Sequence, residues 1–234
     1  MEQLKEFLKN KPVETILDIG TGTGDFIQVL SGIFPEANIF GVDPNAESLE
    51  NAVQNYPDAE FQEMSAEELR YPDNNFDMAS ASMALHHFSD VPKSLAEMQR
   101  VVKPGGWIII KELFSDNLNK AQEVHKLYHH FRAKIDRAQG ISHNETFTKK
   151  QILDLIQDAG IQVIFSFETR KENNELSQPD IDERVLKMET ALDKISGHPE
   201  YEELKPMIEE FRYKVRKYGF ESATRIIVVG KVKL

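Results

Sequence analysis

Gly20, Gly22 and Gly24 alternate with Thr21 and Thr23 directly after the apolar run Ile16-Leu17-Asp18-Ile19, and helix-like apolar spacing starts at Phe26. Glycine takes positive φ without steric cost and lets a ligand come close to the main chain, while the helix that follows offers N–H groups with no partner inside the helix. The order here is G-x-G-x-G. A dinucleotide-binding turn reads G-x-G-x-x-G and sets a pyrophosphate over the helix N-terminus. Asp25 stands in the first helical turn of this chain and would repel that pyrophosphate, so the turn suits a ligand without phosphates.

A second acidic position follows about twenty residues on, at the end of Asn38-Ile39-Phe40-Gly41-Val42-Asp43, where ribose-binding α/β folds carry a carboxylate. Asp43 there can accept both ribose hydroxyls, with Pro44 or Asn45 against the base; its other available role is the N-cap of a helix starting at Ala46. Asp18, just before the first glycine, adds a carboxylate for an ammonium or sulfonium group. A ribose site, two carboxylates and no phosphate clamp point to S-adenosylmethionine, whose sulfonium and amino group are both positive.

With these residues the chain resembles the class I S-adenosylmethionine-dependent methyltransferases, in particular the ubiquinone/menaquinone-biosynthesis-type, methyltransferase type 11-like small-molecule branch. The resemblance is carried by the glycine turn, Gly41-Val42-Asp43, Ala66-Glu67-Glu68-Leu69, Asn75-Phe76-Asp77 leading to Ala84-Leu85-His86-His87-Phe88, and Arg100-Val101-Val102-Lys103-Pro104-Gly105-Gly106-Trp107, and it fades after Leu113. It implies a doubly wound, mostly parallel, seven-stranded Rossmann-like α/β sheet whose last strand runs antiparallel between its neighbours. It also implies that Gly20, Thr21 and Gly22 contact the aminoacid part of the cofactor through backbone groups, that Gly24 also binds the cofactor, that Asp18 orients its ammonium, and that Asp43 and Pro44 meet the nucleoside with Ser65, Ala66, Ser82 and Met83. Two positions depart from the pattern: many relatives carry Gly-Asp where this chain has Met64-Ser65, and often asparagine in place of Ser82.

Methyl transfer from a sulfonium is an in-line displacement of an activated donor, so alignment and exclusion of water matter more than a protein nucleophile. His86 and His87 follow the fourth strand, where a neutral imidazole could take a proton from the acceptor, and His87 is expected to contribute to the chemical step more than to cofactor binding. Adjacent residues on one turn cannot both face a pocket, and packing is the alternative role for each. Further on, His125 and His129 share a helical face by i, i+4 spacing. With no third ligand at a clear spacing no metal is expected, and His125, Tyr128 and His129 are read as walls of a substrate pocket.

The elements that must place these groups follow from periodicity. Strands are expected near Thr15–Ile19, Asn38–Val42, Glu60–Met64, Phe76–Ser82, Trp107–Leu113, Ile161–Phe167 and Arg225–Lys231, with helices near Phe26–Ile33, Ala46–Asn55 and Lys93–Val101. An N-terminal helix carries Leu4, Phe7 and Leu8, covering either the sheet or the cofactor mouth, and Thr148-Lys149-Lys150-Gln151 reads as a capping box opening a helix to Ala159. Pro104-Gly105-Gly106 reads as a turn before the fifth strand. Residues 114–147 and 170–222 exceed ordinary connections and have helical apolar spacing, so one domain over 1–234 is expected, with two helical inserts forming a lid. A homodimer interface is the alternative role for the second.

The chain has 234 residues, 40% of them hydrophobic, and no cysteine, which excludes disulfides and thiolate chemistry and fits a reducing, cytoplasmic setting. No membrane span is expected. A formal net charge of −11 argues against a nucleic-acid partner and for a small-molecule substrate. Two other readings stand beside small-molecule methyl transfer: an S-adenosylmethionine-binding sensor or assembly protein without catalysis, and an RNA or protein methyltransferase. The residues do not identify the substrate, the atom methylated or the oligomeric state.

Overall fold

A computed structural model describes residues 1–170 and 176–233, so positions 171–175 of the second expected insert lie outside the described residues. The strands are β1 (Thr15–Ile19), β2 (Asn38–Asp43), β3 (Glu60–Glu63), β4 (Phe76–Ser82), β5 (Val102–Leu113), β6 (Gln162–Thr169) and β7 (Arg225–Lys231), and they form one sheet in the order β3-β2-β1-β4-β5-β7-β6. Parallel pairing joins β3 to β2, β2 to β1, β1 to β4 and β4 to β5. β7 reverses direction. The Gly105 N–H donates to the Val232 carbonyl near the start of β5, and the Phe114 N–H donates to the Thr224 carbonyl at its other end. The expected seven-stranded, doubly wound sheet is therefore present.

The chain steps outward from β1 to β2 and β3, then crosses back to lay β4 on the other side of β1. That reversal leaves a crevice beyond the carboxyl ends of β1 and β4, where open α/β sheets take their ligands. Both strands are nearly continuous in buried residues, as parallel strands covered on two faces must be. Helices α1 (Glu2–Leu8), α2 (Asp25–Ile33), α3 (Ala46–Asn55) and α4 (Val91–Val101) alternate with them. α2 buries Phe26, Ile27 and Leu30 from one face, joining Ile16, Met78, Ile109 and Ile227 in the core. α4 starts where the Asp90 carboxylate accepts the Lys93 N–H at 3.0 Å. α1 belongs to the sheet: Leu4 and Leu8 are fully buried, and Phe7 stacks on Phe165 with ring centroids 4.9 Å apart.

One element departs from expectation. β5 begins at Val102, and Pro104-Gly105-Gly106 lies inside the strand as an irregularity, because Phe76 pairs with Val102 while Met78 pairs with Trp107. Proline cannot donate to a ladder, and the positive φ of Gly105 (74°) throws the extra residues outward before regular pairing resumes.

The chain divides into two compact units, one comprising Met1–Glu112, Lys150–Thr169 and Ile226–Leu234, the other Leu113–Lys149 and Arg170–Arg225. The second holds α5 (Lys120–Ala138), α7 (Gln178–Asp193) and α8 (Tyr201–Tyr218), with α6 (Lys149–Asp158) returning the chain to the sheet. Its own core includes Val124, Phe131, Ile135, Val185, Met188, Leu204 and Phe211. Among the described residues, no helix is long and apolar enough to cross a membrane.

Candidate functional site

The turn after β1 is held by β2. The N–H groups of Gly20 and Thr21 donate to the Val42 carbonyl at 2.8 and 3.0 Å, and the Gly22 N–H donates to Asp43 Oδ2 at 2.9 Å. Asp43 Oδ1 accepts the Asn45 N–H at 2.9 Å. The cap of α3 is Asn45, whose side chain accepts the Ser48 N–H at 2.8 Å, so the N-cap alternative for Asp43 is set aside. The Asp43 carboxylate ties the glycine turn to the end of β2 and stays partly exposed beside it, with Pro44 exposed next to it.

The three glycines differ in what they face. A Cβ on Gly22 (φ 53°) would meet nothing within 4 Å, so its backbone borders open space next to Asp43. A Cβ on Gly20 would lie 2.6 Å from Ala84 Cβ, and one on Gly24 would lie 2.5 Å from the Tyr56 ring. Gly20 thus lets the turn press against the segment after β4, and Gly24 lets it press against Tyr56. Of the three, Gly22 is the one at which an added side chain would enter open space.

Asp18 lies beneath the turn. Its residue is 1% exposed, Oδ1 accepts the Ser80 hydroxyl at 2.6 Å, and Oδ2 accepts the Thr21 hydroxyl at 2.8 Å. Burial pushes its carboxyl up to about 6, against the Ser80 and Thr21 hydroxyls and the nearby Lys111 charge, which favour ionisation. A carboxylate enclosed this way ties Thr21 to the β1–β4 seam.

Across the crevice, the end of β4 brings Ser82 and Met83 to the rim, both half-buried. Met83 holds φ 57° and donates its N–H to the Lys111 carbonyl at 2.7 Å. Positive φ at a residue with a Cβ is strained, and such strain collects at functional sites. Ser65, expected near the adenine, gives its hydroxyl proton to Glu67 and accepts the Glu67 N–H at 3.2 Å, while Ala66 is buried. Burial pushes the Glu67 carboxyl up, but donors from Ser65, Ser89, the Asp90 N–H and its own N–H outweigh that and hold it at about 2. Glu67 Oε1 takes the Ser89 N–H at 2.7 Å and the Ser89 hydroxyl at 2.8 Å, clamping the loop after β3 to the one after β4.

His86 and His87 occupy a single 3-10 turn, Leu85–His87, with ring centroids 4.3 Å apart. They diverge in surroundings: His87 is exposed, while His86 is buried with Nδ1 2.9 Å from Glu112 Oε1. Glu112 is the polar residue the sequence reading passed over. The available signal was an ionisable side chain closing the buried strand Trp107-Ile108-Ile109-Ile110 at its carboxyl end.

The residues read as pocket walls lie in the second unit, and two of them serve its packing. His125 Nδ1 accepts the Ala223 N–H at 3.3 Å, and burial together with Arg225 and Arg184 pushes its imidazole down to about 4, so it is neutral at physiological pH. Tyr128 packs on Phe211 with centroids 5.6 Å apart and under the Arg184 guanidinium. His129 meets the His143 ring edge-on at 4.9 Å, and His143 Nδ1 is 2.7 Å from Asp136 Oδ2, a polar pairing not anticipated from the sequence.

Residues 17–110 match the family described as a methyltransferase domain. A demethylmenaquinone methyltransferase of Chlorobaculum parvum is 33% identical over 132 residues, 56% of this chain and 54% of that protein. One from Chlamydia trachomatis serovar L2 is 32% identical over 155 residues, covering 64% of this chain and 68% of its own length. Across the first three such relatives, the chain spans about half of their length, 47 to 59%. The solved YcgJ protein of Bacillus subtilis shares the fold with a TM-score of 0.67 at 19% identity, covering 100% of this chain and 97% of that one. The G-x-G-x-G turn, the acidic end of β2 and these relatives make the chain a member of the class I S-adenosylmethionine-dependent methyltransferases, in the branch that includes the demethylmenaquinone methyltransferases.

Proposed function

We propose that the protein transfers a methyl group from S-adenosylmethionine to a small, partly apolar or aromatic acceptor. The observation that carries this reading is the open space at Gly22 beside the partly exposed Asp43 carboxylate, with that carboxylate already tying the turn to β2. Bound S-adenosylmethionine supplies an activated methyl group. Gly22 leaves room for its aminoacid part, Asp43 has lone pairs left for the ribose hydroxyls, and Met83 and Ser82 border the same crevice from β4. The name of the Chlorobaculum relative supports a ring-bearing acceptor. The net charge of −11 favours an acceptor without a phosphate backbone over RNA.

The second unit is proposed to select the acceptor. The chain leaves β5 for the first insert at the carboxyl end of the strand, the end that carries the glycine turn on β1.

Calorimetry with S-adenosylmethionine and S-adenosylhomocysteine, followed by transfer of labelled methyl into a pool of small metabolites, tests the reading. One-to-one heats and one labelled product support it. Heat with NAD and none with either sulfur nucleoside sinks the cofactor assignment, and binding without any labelled product favours the sensor.

A further inference from the structure

We propose that Glu112 is a positioning residue, holding His86 as the proton acceptor of the methyl-transfer step; this rests on the methyltransferase reading above. Two buried side chains meet here, with 6% of the His86 side chain and 1% of the Glu112 side chain exposed. An ionised carboxylate enclosed to that extent costs several kcal/mol unless it is paired, and an apolar residue would fill the end of a buried strand at lower cost. The pairing is two-pronged: Oε1 lies 2.9 Å from His86 Nδ1, and Oε2 accepts the His86 N–H at 3.4 Å. One carboxylate thereby fixes both the ring and the main chain of residue 86.

Location gives the pair its role. His86 follows β4, Glu112 lies near the end of β5, and both strands end at the crevice edge. Ala84, two residues before His86, lies against the glycine turn so closely that Gly20 has no room for a side chain. The strained Met83 opens the same segment.

Chemistry follows from the tautomer. A carboxylate accepts, so the proton of the neutral ring sits on Nδ1, and Nε2 becomes its proton-accepting nitrogen. In the transfer, the acceptor's X–H bond breaks toward His86 Nε2 and the X electron pair forms the bond to the methyl carbon. The pair of the breaking C–S bond stays on sulfur. The imidazolium that results is opposed by the Glu112 carboxylate, the function of the acidic member in hydrolase triads. His87, the next residue, is exposed.

Two-bond 1H–15N correlation spectra of histidine-labelled protein, with and without S-adenosylhomocysteine, read the tautomer without any turnover. The proposal expects an Nδ1-protonated neutral ring for His86 in the wild type and loss of that single pattern in Glu112→Leu. Glu112→Gln keeps the volume and removes the charge. It should lower methyl transfer into the acceptor fraction found by the metabolite screen by ~10-fold or more and change S-adenosylhomocysteine affinity less than ~3-fold. Partial recovery in Glu112→Asp separates positioning from simple loss of folding. An Nε2-protonated His86 in the wild type, or full transfer by Glu112→Gln, overturns the proposal. If the wild type shows the expected tautomer but transfers no methyl group, the methyltransferase reading fails and the pair is structural.

Discussion

At the scale of single residues, the two carboxylates named from the sequence differ in exposure. Asp43 is partly exposed and accepts the main-chain N–H groups of Gly22 and Asn45, one on each oxygen. Asp43→Ala should weaken S-adenosylhomocysteine binding by roughly 1–3 kcal/mol, the range for a lost charge-assisted hydrogen bond, as calorimetry will show. An affinity unchanged within error would remove Asp43 from the site. Asp18 is enclosed, and its carboxyl is raised to about 6 from 3.8. A raised acid prefers its proton in the folded state, so its contribution to stability is greatest below about pH 4 and is lost as pH rises through 6. The shift corresponds to about 3 kcal/mol. Urea denaturation should therefore show a smaller fall in stability between pH 4 and 7 for Asp18→Asn than for the wild type; parallel profiles would mean that another group carries the dependence.

At the scale of elements, three contacts hold the rim of the crevice in shape: Gly20 against Ala84, Gly24 against Tyr56, and Glu67 between two loops. A methyl group on Gly24 would meet the Tyr56 ring at 2.5 Å with φ at 89°. Gly24→Ala should destabilise the fold by ~1–3 kcal/mol in denaturant titration. Gly22→Ala has only the backbone strain of ~1–2 kcal/mol, since nothing stands in its way. It should nevertheless weaken S-adenosylhomocysteine binding more than Gly24→Ala does, because its methyl group enters the ligand's space; the reverse order would place the ligand elsewhere. Glu67 carries the acid-sensitive contact of the rim. Its carboxyl is held at about 2, so its stabilising effect is complete above the ordinary carboxylate range near 4.5 and fades as pH falls toward 2. Glu67→Gln should lower stability on the order of 1–2 kcal/mol at pH 7 and converge on the wild type near pH 2 to 3. A gap that persists in acid would assign the loss to packing.

At the scale of the whole molecule, the two inserts assemble into one helical unit with its own core, where α5, α7 and α8 bury Phe131, Met188 and Phe211. A body with a separate core can open as a unit, and loops or lids that admit ligands come from such regions. If this unit closes over substrate, amide exchange in 113–149 and 176–225 should slow when S-adenosylhomocysteine and the methylated product are both present. Unchanged protection in both segments, at concentrations where the chain is monomeric, would leave acceptor choice to the rim of the sheet.

The sequence by itself determined the sheet and the ligand's kind. Alternating runs of strand and helix length leave a doubly wound fold as the arrangement that buries both faces of strands such as Trp107–Leu113. A G-x-G-x-G turn followed by an acid at the next strand end is local chemistry, readable without any long-range contact. What the tertiary structure decided were the partners. Whether Asp18 faces a ligand or lies sealed beneath Ser80 depends on a neighbour 62 positions away, across the β1–β4 seam. His86 pairs with Glu112, 26 residues away, and no periodicity in either strand announces that pairing. Hydrophobic patterning tells which face of an element is covered; which polar group meets which inside the cover is set only when the strands take their register.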